Sequence, residues 1–301
     1  MQKLSLAAIT LTMGTAVALV PAATHAAAPA TYSWTGCHAG LNGGLIHDGS
    51  TLSLNPSGAY LTPAGVLAPP NAAGTGALAG DLAVVTTSYN RDDVGVVGGL
   101  QIGCDLALAD AGALGLDPMV ALGAPLVFGF EADFSGSTLG QSVNAAYAPV
   151  TSANPLFTVS ERTENTASKL SWISTVRGRA GITPFPELLI YATGGLAIAN
   201  FNSHTTVTFG STGSSPVYAL ARHTSSNTDT PLGSVFGAGA EYAMTDQMSI
   251  KAEYLFFNFP SQTFTSPLNP AGTNAPGYSW TTRVAGRSPQ IFRVGVNVKL
   301  Y

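Results

Sequence analysis

Glu131 and Asp133 stand two residues apart in LVFGFEADF, Arg177 and Arg179 two apart in LSWISTVRGRAGI, and Lys251 and Glu253 two apart in SIKAEYLFF. Glu241 lies in GAGAEY and Arg293 in IFRVGVNVKLY. A spacing of two puts the members of each pair on one face of an extended strand. Carboxylates so placed could act as general acid and base, or could pair with cations and hold charge in a space closed to water. The signs point to pairing. Glu131 and Asp133 face Arg177 and Arg179 on the segment that follows, Glu241 can reach Lys251, and Glu253 can reach Arg293. We read these eight residues as a lumen charge network. Catalysis is not expected of them, because the interior of a narrow barrel offers a substrate no entry.

Other residue types capable of chemistry do not converge. The histidines beyond the first segment, His38, His47, His204 and His223, are scattered over a strand, its end and a loop. No zinc spacing, P-loop or GxSxG elbow occurs. GGLQIG (98–103) is followed by no helix and therefore makes no phosphate cradle; its glycines suit close backbone approach within a strand. No metal, cofactor or enzymatic activity is expected.

A closed interior needs strands. The closing segment IFRVGVNVKLY alternates without a break: Val294, Val296, Val298 and Leu300 on one face, Arg293, Gly295, Asn297 and Lys299 on the other. The same alternation recurs in eight segments, beginning with Ser33–His47 and Val94–Leu106 and continuing through 126–134, 169–182, 188–201, 234–242 and 249–256. In the fourth, Leu170, Trp172 and Val176 are expected outside, with Lys169, Arg177 and Arg179 inside. An arginine facing lipid at mid-membrane costs about 2 to 4 kcal/mol, so Arg177 and Arg179 fix that phase. Trp34, Trp172, Tyr242 and Tyr254 are expected in the interfacial girdles.

Composition agrees. Hydrophobic residues make up 46% of the 301 and mean hydropathy is +0.25, yet charged residues are only 9% and no later run could form a membrane helix. The apolar character is spread over strands. A net charge of −4 gives no footprint for nucleic acid. Residues 1–26 read as a secretory signal, with Lys3, an apolar stretch and small residues before cleavage after Ala26, leaving 27–301 as one domain. The expected fold is all-β: an eight-stranded antiparallel up-and-down transmembrane barrel with long extracellular loops. Tight turns at 183–187 and 244–247 mark the periplasmic side, and 48–91, 138–167, 204–230 and 260–288 are expected loops. The joint 107–123 is longer than a periplasmic turn should be.

WTGCHAGLNGG (34–44), GGLQIGCDL (98–106), LVFGFEADFSGS (126–137), LSWISTVRGRAGI (170–182), LLIYATGGLA (188–197), GAGAEYAMTDQMSIKAEYLFFNF (237–259) and RVGVNVKL (293–300) resemble the OmpA-like, porin-opacity type of small outer-membrane barrel. The resemblance implies an eight-stranded meander with both termini in the periplasm. It implies a structural or surface-exposed envelope role in the bacterial outer membrane, without catalysis; a narrow porin-like channel for small solutes is the alternative. The implied partners are outer-membrane lipid, lipopolysaccharide and the assembly machinery that takes up the C-terminal strand; what the loops bind is not written in them. The chain departs from the family in carrying Cys37 and Cys104 where aromatics are usual, and in ending on Leu300–Tyr301. The cysteines sit at similar depth on adjacent antiparallel strands, which allows a disulfide. A register slip of two residues would leave two separate thiols.

Overall fold

The computed structural model describes residues 32–57, 60–61, 67–68, 87–90, 92–108, 125–147, 159–211, 221–267 and 279–300. The expected signal segment and most of the 107–123 joint fall outside them. The described chain is all-β, and no helix in it is long and apolar enough to cross a membrane. Its strands are β1 Gly36–Asp48, β2 Thr51–Ser57, β3 Tyr60–Leu61, β4 Leu67–Ala68, β5 Thr87–Asn90, β6 Asp93–Leu108, β7 Leu126–Ser137 and β8 Gly140–Tyr147. They continue as β9 Val159–Phe185, β10 Leu188–Ser211, β11 Ala221–Asp229, β12 Leu232–Ala243, β13 Met248–Asn258, β14 Gln262–Pro267, β15 Ser279–Ala285 and β16 Gln290–Lys299.

Antiparallel pairing runs β1–β6–β7–β9–β10–β12–β13–β16, and β16 pairs back onto β1. The backbone ladder therefore closes on itself, which satisfies its polar groups without water. The turns at 186–187 and 244–247 lie at one end with the two described termini: Trp34 Nε1 donates to Pro186 O at 3.0 Å, and Lys299 N to Gln247 O at 2.8 Å. β9 and β10, 27 and 24 residues long in all, run on past their ring neighbours at the other end. There β8 pairs with β9, β11 with β10, and β14, β15, β2 and β5 form a further sheet. The expected loops thus contain strands. They are rich in Thr, Ser and Asn and their apolar alternations are short, as at Leu52 and Leu54, so alternation did not mark them as strands, but extended backbones beside an existing ladder continue it.

Side-chain phase follows the two solvents a barrel meets. Leu41, Leu45, Leu100, Ile102, Phe130, Leu196, Phe236, Tyr254, Phe292 and Val294 form an exposed apolar belt around the outside. In the fourth expected strand the phase holds from Trp172 to Ile182 and fails before it. Pairing with β10 shifts at Asn200–Trp172 and Phe201–Leu170, leaving Ser171 as a bulge. One extra residue reverses every side chain beyond it, so Leu170 is buried inside and Lys169 faces out. Trp34 also departs from its expected place: it is 8% exposed and packs with Val127, Leu189, Tyr191 and Ala243 at the end of the lumen. Its indole N–H is better served by the Pro186 carbonyl than by an interface. Tyr242 and Tyr254 remain outward and exposed, and Trp172 packs its ring against Phe134 at 5.6 Å.

The β1–β6 register sets Cys37 opposite Cys104, with Cα atoms 3.9 Å apart and a disulfide between them. In the chain-entropy account, closing a loop of this length stabilises by about 4 kcal/mol. Thiol labelling of denatured, unreduced protein should find no free thiol, and two after reduction; two before reduction would exclude the bond.

Candidate functional site

The eight ionisable residues of the expected network all turn inward, each no more than 5% exposed. Alternation on β7, β12, β13 and β16 turns six of the eight inward, and the Arg177–Arg179 pair is fixed by β9 below its bulge. Glu131 is the hub. It pairs with Arg177, takes Lys251 Nζ at 2.7 and 2.8 Å, and lies 3.5 Å from Arg293 Nη2 and 3.7 Å from Arg179 Nη1. Arg177 also donates to Asp133 at 3.0 Å, Glu253 at 3.1 Å and the Thr175 hydroxyl at 3.0 Å. Arg293 joins Glu253 at 2.7 Å and Asp133 at 3.1 Å. Ion pairs buried this deeply persist only when every charge is matched.

The expected reach from Glu241 to Lys251 is not made. They are opposed in register, but the ammonium crosses the lumen to Glu131, while Glu241 is taken by Arg179 at 2.9 Å, Ser249 at 2.5 Å and Asn297 at 2.8 Å. The ammonium there lies between two carboxylates, with Glu253 at 3.7 Å as well, whereas Glu241 is already neutralised by Arg179. Asp105, at the end of the alternating segment Val94–Leu106, also turns inward and binds Arg179, with Nε to Oδ1 at 2.6 Å. His38 lies 3.5 Å from Asp105 and 3.7 Å from Glu131.

These missed contacts share a cause. Asp105 and Arg179 lie on strands separated by β7, and the residue between them in register is Gly129. The same holds for Gln101 and Asn297 across Gly40, His38 and Glu131 across Gly103, Asn42 and Ser135 across Gly99, and Tyr191 and Glu253 across Gly239. Like Asp105 and Arg179, three of these pairs are hydrogen-bonded, Gln101–Asn297 at 2.5 Å, Ser135–Asn42 at 3.2 Å and Tyr191–Glu253 at 2.9 Å, and His38 Nε2 lies 3.7 Å from Glu131. Each glycine is a window through which side chains on next-but-one strands meet. A Cβ at Gly129 would overlap the Asp105 carboxylate.

The network lies between two apolar layers. Trp34, Val127, Leu189, Tyr191 and Ala243 close the end with the tight turns. Toward the other end Ile46, Val97, Ile173, Val235, Leu255, Phe257 and Ile291 face inward as one cluster, continued by Leu139, Leu170, Phe201 and Phe259. Beyond it the interior turns polar again: Glu164 accepts from Thr87 at 2.9 Å and Tyr89 at 2.7 Å. Among the described residues no group of three or more His, Cys, Asp or Glu side chains could hold a metal ion.

Strands closed into a ring, apolar outside and charged within, define an outer-membrane β-barrel protein. The chain belongs to the outer membrane protein beta-barrel domain family, which matches residues 15–287. It is 31% identical over 236 residues to the 31 kDa outer-membrane immunogenic protein of Brucella melitensis, covering 78% of this chain and 75% of that protein. The figures for the protein of the same description from Brucella suis are the same. Among solved structures, OprG of Pseudomonas aeruginosa aligns over 90% of this chain and 99% of its own, with 12% identity and a TM-score of 0.39. The protein resides in the bacterial outer membrane.

Arg177→Met, which removes a cation shared by Glu131, Asp133 and Glu253 and leaves the lumen one positive charge short, should lower stability by roughly 3 to 5 kcal/mol, whereas the exposed Lys169→Ala should change it by about 0.5 kcal/mol or less. Urea unfolding in detergent micelles measures both, and equal midpoints would contradict a matched lumen. Gly129→Ala should cost roughly 1 to 3 kcal/mol by overpacking. Gly178→Ala, on the outer face with its nearest obstacle 4.0 Å away, should be tolerated, and the reverse order in the same assay would remove the window explanation.

Proposed function

We propose that the chain is an eight-stranded, up-and-down barrel of the OmpA-like, porin-opacity type that serves as a structural and surface-exposed envelope protein, without catalysis or a resident cofactor. Both termini and the tight turns lie in the periplasm, and the sheet extensions of β9 and β10 stand outside the cell. Residues 1–26 direct export and are removed. The observation that carries this reading is the stacking, between two apolar layers inside the ring, of an ion network in which every carboxylate has a cationic partner. A solute path would have to cross side chains of which the charged ones are at most 9% exposed, and apolar constrictions resist wetting. The carboxylates are engaged with guanidinium and ammonium groups, which leaves none poised as acid or base.

Surface exposure is supported by the Brucella relative, described as immunogenic. Outer-membrane lipid and lipopolysaccharide meet the apolar belt, and the closing strand β16, whose Val294, Val296 and Val298 face lipid, is the segment offered to the assembly machinery.

Purified protein reconstituted in planar bilayers should be electrically silent while migrating on gels as a heat-modifiable folded barrel. Stable, reproducible openings from folded protein would overturn this reading in favour of a narrow channel for small solutes.

A further inference from the structure

The bulge at Ser171 has an effect on the outer surface as well as on the lumen. It turns Lys169 outward, into an open groove of about 460 Å³ on the outer face of the β8–β9–β10–β11 sheet. Bulges commonly re-aim a side chain in this way. The groove's lining carries polar groups beside the stems that hold them: Lys169 is flanked by Ser142, Asn202, His204, Ser226 and Thr228. Asn202 is oriented by bonds to Ser171 at 2.8 Å and Thr228 at 2.8 Å, and His204 Nε2 lies 3.2 Å from the Thr206 hydroxyl. Lys169 has no carboxylate partner among the described residues: Asp229 is paired with Arg287 at 3.1 Å, and Glu164 faces inward to Thr87 and Tyr89.

The height of the groove identifies what reaches it. On β10 the outer face carries Leu196 and Ile198, both exposed and apolar, then changes to Asn200, Asn202 and His204. The Trp172–Phe134 ring pair marks the same boundary on β9 and β7, where amphipathic aromatics sit at headgroup level. Lys169 is opposite Asn202, four residues beyond Ile198. That is about 13 Å along the strand, or on the order of 10 Å along the membrane normal at the usual strand tilt. The distance passes the edge of the hydrocarbon and reaches the headgroup layer.

We propose that this groove binds a phosphorylated sugar headgroup of an outer-leaflet glycolipid, lipopolysaccharide, with the phosphate on Lys169 and the sugar hydroxyls on the amide and hydroxyl side chains around it. A lone ammonium matches one phosphate as a point charge. The neighbouring Asn, Ser and Thr groups supply both donors and acceptors, as a hydroxylated ring requires. The proposal rests on the transmembrane, extensions-outward placement given above. It is independent of whether the lumen conducts.

The test measures binding of fluorescent lipopolysaccharide to folded wild-type protein in zwitterionic detergent, with Lys169→Ala, Lys169→Glu and Thr208→Glu variants alongside. Loss of a charge-assisted contact should weaken binding about tenfold in Lys169→Ala and further in Lys169→Glu. Thr208→Glu, which adds a negative charge farther out on the same face, should stay within about twofold because salt screens it. Heat-modifiable migration of each variant verifies folding. Unchanged affinity in folded Lys169→Glu overturns the site. Full displacement by millimolar inorganic phosphate, or equal binding of a zwitterionic phospholipid, overturns the glycolipid assignment. A channel recorded from the same preparation would overturn the structural role while leaving this result to stand or fall by itself.

Discussion

Glu131 gathers cations from three other strands of the ring, Arg177 and Arg179 on β9, Lys251 on β13 and Arg293 on β16, and His38 on β1 lies within 3.7 Å. A charge withdrawn from water in this way must be met by its opposite, because an unmatched one costs several kcal/mol. The hub therefore does more than neutralise charge. A one-residue slip of β7 against β9 would turn Glu131 and Asp133 toward lipid and take from Arg177 two of its three carboxylates, losing on both faces at once. The same argument applies to β13 and β16. Register around the ring is thus set by electrostatics inside and by the apolar belt outside, and both must be right together.

The apolar layers explain how such a network can be worth keeping. Water in the lumen would screen the pairs and compete for their hydrogen bonds, whereas a dry surround strengthens each contact and raises the penalty for breaking any. Leu255, Phe257 and Ile291 on one side and Val127, Leu189 and Tyr191 on the other supply that surround. Tyr191 joins both arrangements, with its ring in the apolar layer and its hydroxyl on Glu253 at 2.9 Å. The cost is that this section of the lumen has little tolerance for substitution by a polar or larger side chain.

Much of this was legible from residue order because a barrel strand repeats every two residues and one face must satisfy lipid. The phases of β7, β12, β13 and β16 follow from alternation alone, and Arg177 with Arg179 set β9 between Trp172 and Ile182. What alternation could not show was the bulge. Lys169 and Leu170 obey a perfect period that the backbone breaks at Ser171, and the break is visible only when β9 is paired with β10. Trp34 was misplaced for a related reason: an aromatic at a strand end fits the girdle or the lumen mouth, and the deciding Pro186 carbonyl comes from a distant turn. The inward-facing apolar residues Ile173, Leu255 and Phe257 were unread because a hydrophobic residue on the charged face looks like a lapse in the pattern, not a layer of its own.

The glycines are where sequence and geometry meet most directly. Barrel neighbours are consecutive antiparallel strands, so pairing arguments based on order reach only the adjacent strand. Gly40, Gly99, Gly103, Gly129 and Gly239 extend that reach to the next strand but one, since a residue without a side chain leaves the lumen open above it. Asp105 could have been matched to Arg179 from the sequence by asking which inward position on β7 stands between them and finding glycine there. Five of the chain's 34 glycines thus answer to one requirement. A small barrel must bury its charges in a narrow space, and side chains from strands that are not neighbours can meet there only where the strand between them yields the room.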